Sequence, residues 1–368
     1  MWNETPFYVK ATIKLLLAIM VVFVLIMGRE FLVPFTIAVF FTFLLLPISR
    51  KLVQWRIPKI PSILISILIA FIFFGGIIYF FVSQIESFSD DLPQLKMQFH
   101  KKWESLQQFI FTNFRISKYE QSKWINLKVN ETLQSADGYA LDIFSATGTF
   151  IANLALIPIY IFFLTYYKDR IRNFIIQLNK KTNPSEVISL LSRISEVSQK
   201  YLKGILLDVL ILSVLNSTGF LLLGLDHAIL FGILASILNI IPYIGVLIGS
   251  LLPIAMALLT KDEIGNAIGV AAVTQFVQLL DNNFITPLVV GSSVSINPFA
   301  AVVALIISAL IWGLPGMVLC MPVAGMIKVL CDHTDALKPY GYLIGEDDEK
   351  KVKRKFSYNP IKFLKKNR

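Results

Sequence analysis

"AILFGILASILNIIPYIGVLIGSLLPIAMALL", residues 228–259, is a nearly continuous apolar run of 32 residues. As a straight helix it would measure about 48 Å, and fitting that into a hydrocarbon core of about 30 Å needs a tilt near 50°, beyond the usual range of about 0–40°. A simple straight span is not expected. Near the middle stands "NIIPYIG" (239–245), where proline removes a backbone donor and crowds the preceding turn, and glycine permits a reversal. Halves of about 13–15 residues reach about 20 Å, enough to enter a membrane and turn back but too short to cross it. The stretch predicts a re-entrant helical hairpin with its tip at Asn239, Pro242, Tyr243 and Gly245.

A second over-long run, 298–330, opens at Pro298 and is broken by "WGLPG" (312–316), which supplies Gly313, Pro315 and Gly316 for a second tip. Each broken run follows an apolar helix, 204–224 in one case and 264–282 in the other. Segments 204–259 and 264–330 therefore read as a two-fold repeat. If both runs are hairpins, the first opens outward and the second inward, which makes the copies inverted, an arrangement typical of transporters. Full crossing by both runs is the alternative, and the near-neutral loops at 260–263 and 283–297 do not separate the two by charge.

The rest of the chain has the same character. Of its 368 residues 55% are hydrophobic and 16% charged, against about 25% charged in soluble domains, and the mean hydropathy is +0.68. The fold class is all-α: a polytopic α-helical integral membrane protein with two broken, re-entrant hairpins in an inverted repeat. Residues 1–82 hold N-terminal membrane helices, a hairpin over 11–49 with Gly28, Arg29 and Glu30 at its tip and a span over 60–82. The first run has no small-x-small cleavage site, so it reads as a retained helix rather than a signal peptide. Residues 83–145 form an extracytoplasmic amphipathic insert, 146–203 a span plus a cytoplasmic amphipathic helix, 204–330 the transport domain and 331–368 a basic tail.

Charge orients this plan, because Lys and Arg mark cytoplasmic loops. Residues 50–59 carry Arg50, Lys51, Arg56 and Lys59 with no acid, and 168–203 carries eight Lys/Arg against three acids. Both face the cytoplasm. Residues 83–145 balance seven Lys/Arg against eight acids and face outward. From Lys338 to Arg368 ten Lys/Arg meet four acids, which is +6 of the net +10. Both termini are thus expected in the cytoplasm, with the tail against anionic lipid rather than nucleic acid.

Two amphipathic segments stand outside the spans. Phe88, Leu92, Leu95, Phe99, Trp103, Leu106 and Ile110 form one helical stripe that needs a partner, either residues 127–145 or further copies of itself in a homo-oligomer. Residues 183–203 begin with Asn183 as N-cap, Pro184 in the first turn and Glu186 at the capping-box position, and are expected to lie along the inner membrane surface.

Polar side chains inside apolar helices mark function. Gln275, Gln278, Asp281 and Asn282 share one face at the end of helix 264–282, and Asn283 follows. With Asn239 and Asn216 they are the candidate substrate- or ion-binding residues, and Pro287, Gly291 and Pro298 are candidate hinges. Asp208 is expected to pair with Lys203 near the inner interface. Cys320 and Cys331 read as packing residues, and His100, His227 and His333 are too scattered for a metal site. No catalytic set and no phosphate-binding glycine loop occurs, which argues against an enzyme and against an ATP-driven pump. No cofactor is expected beyond H+ or Na+ coupling.

"NIIPYIG", "QLLDNNFITPLVVG" (278–291), Pro298 and "GLPGMVLCMP" (313–322), in this order and spacing, resemble the autoinducer-2 exporter family of PerM-like permeases. Asp281 stands where that family more often has Glu, and Pro315 where an aliphatic is common. The resemblance implies an oligomeric, multi-pass transporter of the bacterial plasma (inner) membrane that exports a small hydrophilic molecule such as the autoinducer-2 signal. Some relatives are described as Na+ or Li+/H+ antiporters, which is the alternative within the class. A membrane scaffold acting through the external helix is the alternative outside it.

Overall fold

The computed structural model describes residues 6–114, 155–179, 183–242, 244–261, 263–290 and 296–346, and these are helical apart from turns and one isolated bridge between Ile296 and Gly345. Tyr243, Gly291, the 127–145 partner segment and the basic end of the tail lie outside them.

Helix α1 (Phe7–Met27) and α2 (Arg29–Gln54) are separated by Gly28 alone, at φ −84° and ψ 8°. The expected tip of Gly28, Arg29 and Glu30 is thus a one-residue bend, with Arg29 and Glu30 already helical. Gly28 N–H still reaches the Val24 carbonyl and Leu32 N–H the Gly28 carbonyl. The Leu25 carbonyl, next in that ladder, instead accepts from the indole Nε1 of Trp312 at 2.9 Å.

Helix α3 (Lys59–Phe114) runs unbroken for 56 residues, about 84 Å. The span at 60–82 and the amphipathic stripe are one rod, because residues 83–87 between them hold neither proline nor glycine, and Pro93 within the stripe need not end a helix. The stripe finds a partner that its sequence did not suggest. Phe88 stands edge-on to the His227 and Phe231 rings at 5.3 and 5.9 Å, and Leu95 packs on the same core of Phe220, Leu225, Ala228, Phe231, Met256 and Ala257.

Helices α4 (Ala155–Tyr166) and α5 (Lys168–Leu178) follow. Ile161 joins Ala38, Leu45, Ile63 and Ile67 in a second core between α2, α3 and α4. Lys59 Nζ donates to the Tyr166 carbonyl at 2.8 Å, so residues 50–59 and 166–168 share one end of this unit. Burial, and then the facing Arg50, hold the Lys168 amine below its ordinary range.

Helix α6 (Pro184–Leu222) has 39 residues and no interruption. Asn183 caps it, its side chain accepting from Ser185 N–H, as its sequence predicts. The expected surface-lying helix 183–203 and span 204–224 are nevertheless one element. A turn at 203–204 would need a breaker, and Gly204 is instead used for close approach, facing the Val289–Val290 backbone.

Helices α7 (Ala228–Leu238) and α8 (Ile244–Thr260) run antiparallel. Gly249 faces Ala235, Gly245 faces Leu238, and at the base Lys261 Nζ lies 3.6 Å from Asp226 Oδ1. Both ends of the 228–259 run are therefore together: the run is a hairpin. After α9 (Ile264–Leu280), a π-helical turn (Asp281–Ile285) and α10 (Thr286–Val289), helix α11 (Pro298–His333) reverses at Gly313, whose φ of 62° and ψ of −137° suit glycine. Gly316 there comes up against the Ser308 carbonyl, which a straight helix would hold about 12 Å away along its axis. The second broken run is a hairpin too.

The hairpins open towards opposite ends of α6. The base of the first follows the C-terminal end of α6, whereas at the base of the second His333 Nε2 lies 3.4 Å from Ser189 Oγ, near the N-terminal end. A short α12 (Lys338–Ile344) closes the described chain. Asn297 ties it down, accepting from Ala300 N–H at 2.8 Å as the cap of α11 and donating to the Leu343 and Gly345 carbonyls at 2.8 and 3.0 Å. Asn297→Ala is expected to lower stability by about 2 kcal/mol, one cap plus part of two hydrogen bonds. The readout is a lower melting temperature with faster chymotrypsin cleavage after Tyr342, which is exposed on α12; unchanged cleavage would show that the clamp contributes nothing.

Five helical segments among the described residues are long and apolar enough to cross a membrane: Arg29–Gln54, Lys59–Asp91, Pro184–Leu222, Ile264–Val289 and Pro298–His333. The last of these is the run that reverses at Gly313. Their outward faces are apolar, Leu222 and Leu310 being 83% and 79% exposed. Exposed apolar surface on this scale belongs against lipid. The protein is a polytopic helical membrane protein.

Candidate functional site

The site begins with Pro287. A proline ring clashes with the carbonyl four residues before it and brings no N–H, so an α-helix running through 281–290 meets an obstacle at its Asn283 carbonyl. The chain answers by widening: Asp281–Ile285 form a π turn in which Thr286 N–H reaches the Asp281 carbonyl, and helical structure continues to Val289. Asp281, Asn282 and Asn283 thus bulge the helix rather than end it. In an α-helix positions five apart are about 140° around the axis from one another, whereas the wide turn stacks them. Thr286 Oγ1 donates to Asp281 Oδ1 at 2.6 Å.

Asp281 is 2% exposed. Its other oxygen, Oδ2, accepts from Asn239 Nδ2 at 3.0 Å and from Gln278 Nε2 at 3.2 Å. The tip of the first hairpin is therefore fastened to α9 through a carboxylate. Next to Asn239, Ile241 packs with Leu305 and Cys320 of the second hairpin.

Asp208 completes the cluster. It is 6% exposed, within hydrogen-bonding reach of the Asp281 carboxyl, and its Oδ1 has no hydrogen-bond partner. The expected pairing with Lys203 is not formed; among the described residues no ion pair joins a basic side chain to Asp208 or Asp281. Two turns along the same face of α6, Asn216 donates to Ser236 Oγ at 3.3 Å, and its Oδ1 is buried without a partner. Asn216, Asn239, Ser250, Thr274 and Gln278 line a cavity of about 10 Å³, close to the smallest space that holds one water.

The structure thus brings together Asn239, Gln278 and Asp281, with Asn216 on the adjoining cavity and Asn282 accepting from Gln278 at 3.1 Å. It leaves out two candidates: Gln275 is exposed, and Asn283 turns its amide back to the Leu279 carbonyl. Pro242 lies in the first tip as expected, while the second tip sends Trp312 to the Leu25 carbonyl. Thr286 and Asp208 were missed. The signal for Asp208 was present, since Asp208, Leu212, Asn216 and Phe220 recur every four residues and are all buried; it becomes visible once 184–222 is taken as one helix.

Three carboxylate-directed donors, a second buried carboxyl and a ring of amides around a water-sized space can hold a proton, a small cation or a hydroxylated solute. Among the described residues no group of three or more His, Cys, Asp or Glu is placed to hold a metal ion.

The profile of the family described as AI-2E family transporter matches residues 15–336. The Bacillus subtilis protein YrrI is 24% identical over 82% of this chain and 86% of its own length, and YueF of the same organism 26% identical over 80% and 82%. The AI-2 transport protein TqsA of Escherichia coli is 22% identical over 83% of this chain and 87% of its own length.

Proposed function

This chain belongs to the AI-2E transporter family, and on that premise we propose that it is a secondary transporter of the bacterial inner membrane whose segment 204–330 carries the site. Its substrate is a small hydrophilic molecule of the autoinducer-2 kind, moved outward, with Asp281 as the ion-coupling group. The observation that carries this reading is the bond from Asn239, at a hairpin tip, to the buried Asp281 carboxylate. A tip held by an ionisable group has two positions, bound and released, and the ionic state of the site biases the choice between them. In this reading 204–259 and 264–330 are inverted copies, the N-terminal helices form the scaffold of a homo-oligomer, and both termini are cytoplasmic.

The test begins by comparing solutes in the medium of cells with and without the protein. Uptake of the differing solute into proteoliposomes follows, with Asn239→Ala expected to be at least about tenfold slower, the equivalent of 1.4 kcal/mol. If no solute differs and the reconstituted protein moves none, the reading is wrong. A Na+(Li+)/H+ antiporter is the second reading, favoured by the Asp208 carboxyl beside Asp281; it predicts cation-driven proton movement with no organic solute.

Orientation has its own check. Lys261→Cys, in a background with Cys320 and Cys331 changed to serine, is expected to react with an impermeant thiol reagent added outside intact cells. Labelling only from the cytoplasm would overturn an outward-opening first hairpin.

A further inference from the structure

The hydrogen bonds around the two carboxyls are divided unequally. Asp281 accepts from three donors, Thr286 at one oxygen and Asn239 and Gln278 at the other. An ionised carboxylate is an acceptor only, with room for about four such bonds, and Asp281 is surrounded as one. Asp208 accepts none at its buried Oδ1 and faces Asp281, which is what a protonated acid with one hydrogen to give would do.

The electrostatics lead the same way. Among the described residues, the titratable groups that act on Asp208 are Asp281 from the π turn, Tyr201 from one face of α6 and, beyond Tyr201, Cys320 from α11, and none of these is a cation. Two like charges in contact, shielded from water and with no counter-charge, do not both persist. One proton between them removes the repulsion and supplies the missing donor.

We propose that Asp208 carries a proton that it donates to the Asp281 carboxylate, so that the two form a one-proton pair and serve as the proton carrier of the transport site. This rests on the transporter reading above for its role, though not for its chemistry. When the proton leaves for water, the O–H bond of Asp208 is the one broken, and the pair goes from one negative charge to two. It then calls for a monovalent cation to restore the balance, through the oxygens that the proton and the Asn239 amide vacate.

The test is infrared spectroscopy of the purified full-length protein at neutral pH, in water and in deuterium oxide. Wild type is expected to show a protonated-carboxyl stretch that shifts on deuteration and is absent from Asp208→Asn, whose amide still offers Asp281 an N–H. An Asp208→Asn spectrum identical to wild type overturns the shared proton. Proteoliposomes with a trapped pH dye then report its role, with coupled proton flux expected to fall at least tenfold in Asp208→Asn. A lost band with unchanged flux overturns the role. Inert wild-type vesicles with the band present would sink the transport reading, and the band alone would then decide the proton.

Discussion

Gly245→Val is expected to deprive the protein of its first hairpin. A β-carbon at Gly245 would overlap the Leu238 carbonyl oxygen and lie within 3.0 Å of Asn239 N. Both are backbone atoms, so no side-chain rotation relieves the clash. Overpacking costs about 1–3 kcal/mol where side chains can adjust, and here the expected loss is about 3 kcal/mol or more. It would appear as a large fall in melting temperature and loss of the monodisperse peak on size exclusion in detergent. Gly265→Ala is the matched control, since nothing lies within 4 Å of a β-carbon there. If both variants melt like wild type, the close crossing of the two arms is wrong.

Asp281→Leu is expected to have the second-largest effect, on stability and function together. It strands the Asn239, Gln278 and Thr286 donors, and an unsatisfied buried polar group costs about 1–3 kcal/mol. Partial relaxation towards the cavity makes the sum less than additive, so about 3 kcal/mol is expected from melting curves. Transport should fall below detection. Asp281→Asn keeps the shape and loses less stability, yet turns an N–H towards a donor on one side and removes the charge, so its transport should fail while it still folds. A fully active Asp281→Asn protein would exclude the carboxylate from the mechanism.

The sequence shows breaks more readily than continuity. Both hairpins were legible because Pro242 and Gly245 in one run, and Gly313, Pro315 and Gly316 in the other, interrupt stretches too long to be spans. Asp281, Gln278 and Asn239 were legible because amides and a carboxylate are costly among apolar residues. The unbroken lengths of α3 and α6 were not, because a change from apolar to amphipathic pattern looks like a boundary although the backbone ladder never stops. Asp208 was assigned to the wrong partner for the same reason. Thr286 was invisible, since only the π turn brings a residue five positions on to face Asp281.

The two hairpin tips are moored by different chemistry. Trp312 holds the second through the Leu25 main-chain carbonyl, an uncharged acceptor that no change of pH or salt removes. Asn239 holds the first through a carboxylate, whose attraction for an amide varies with its charge. Under the proposed mechanism a single ionic event would slacken one mooring and leave the other taut, so that the pair of hairpins would work as a hand and an anchor.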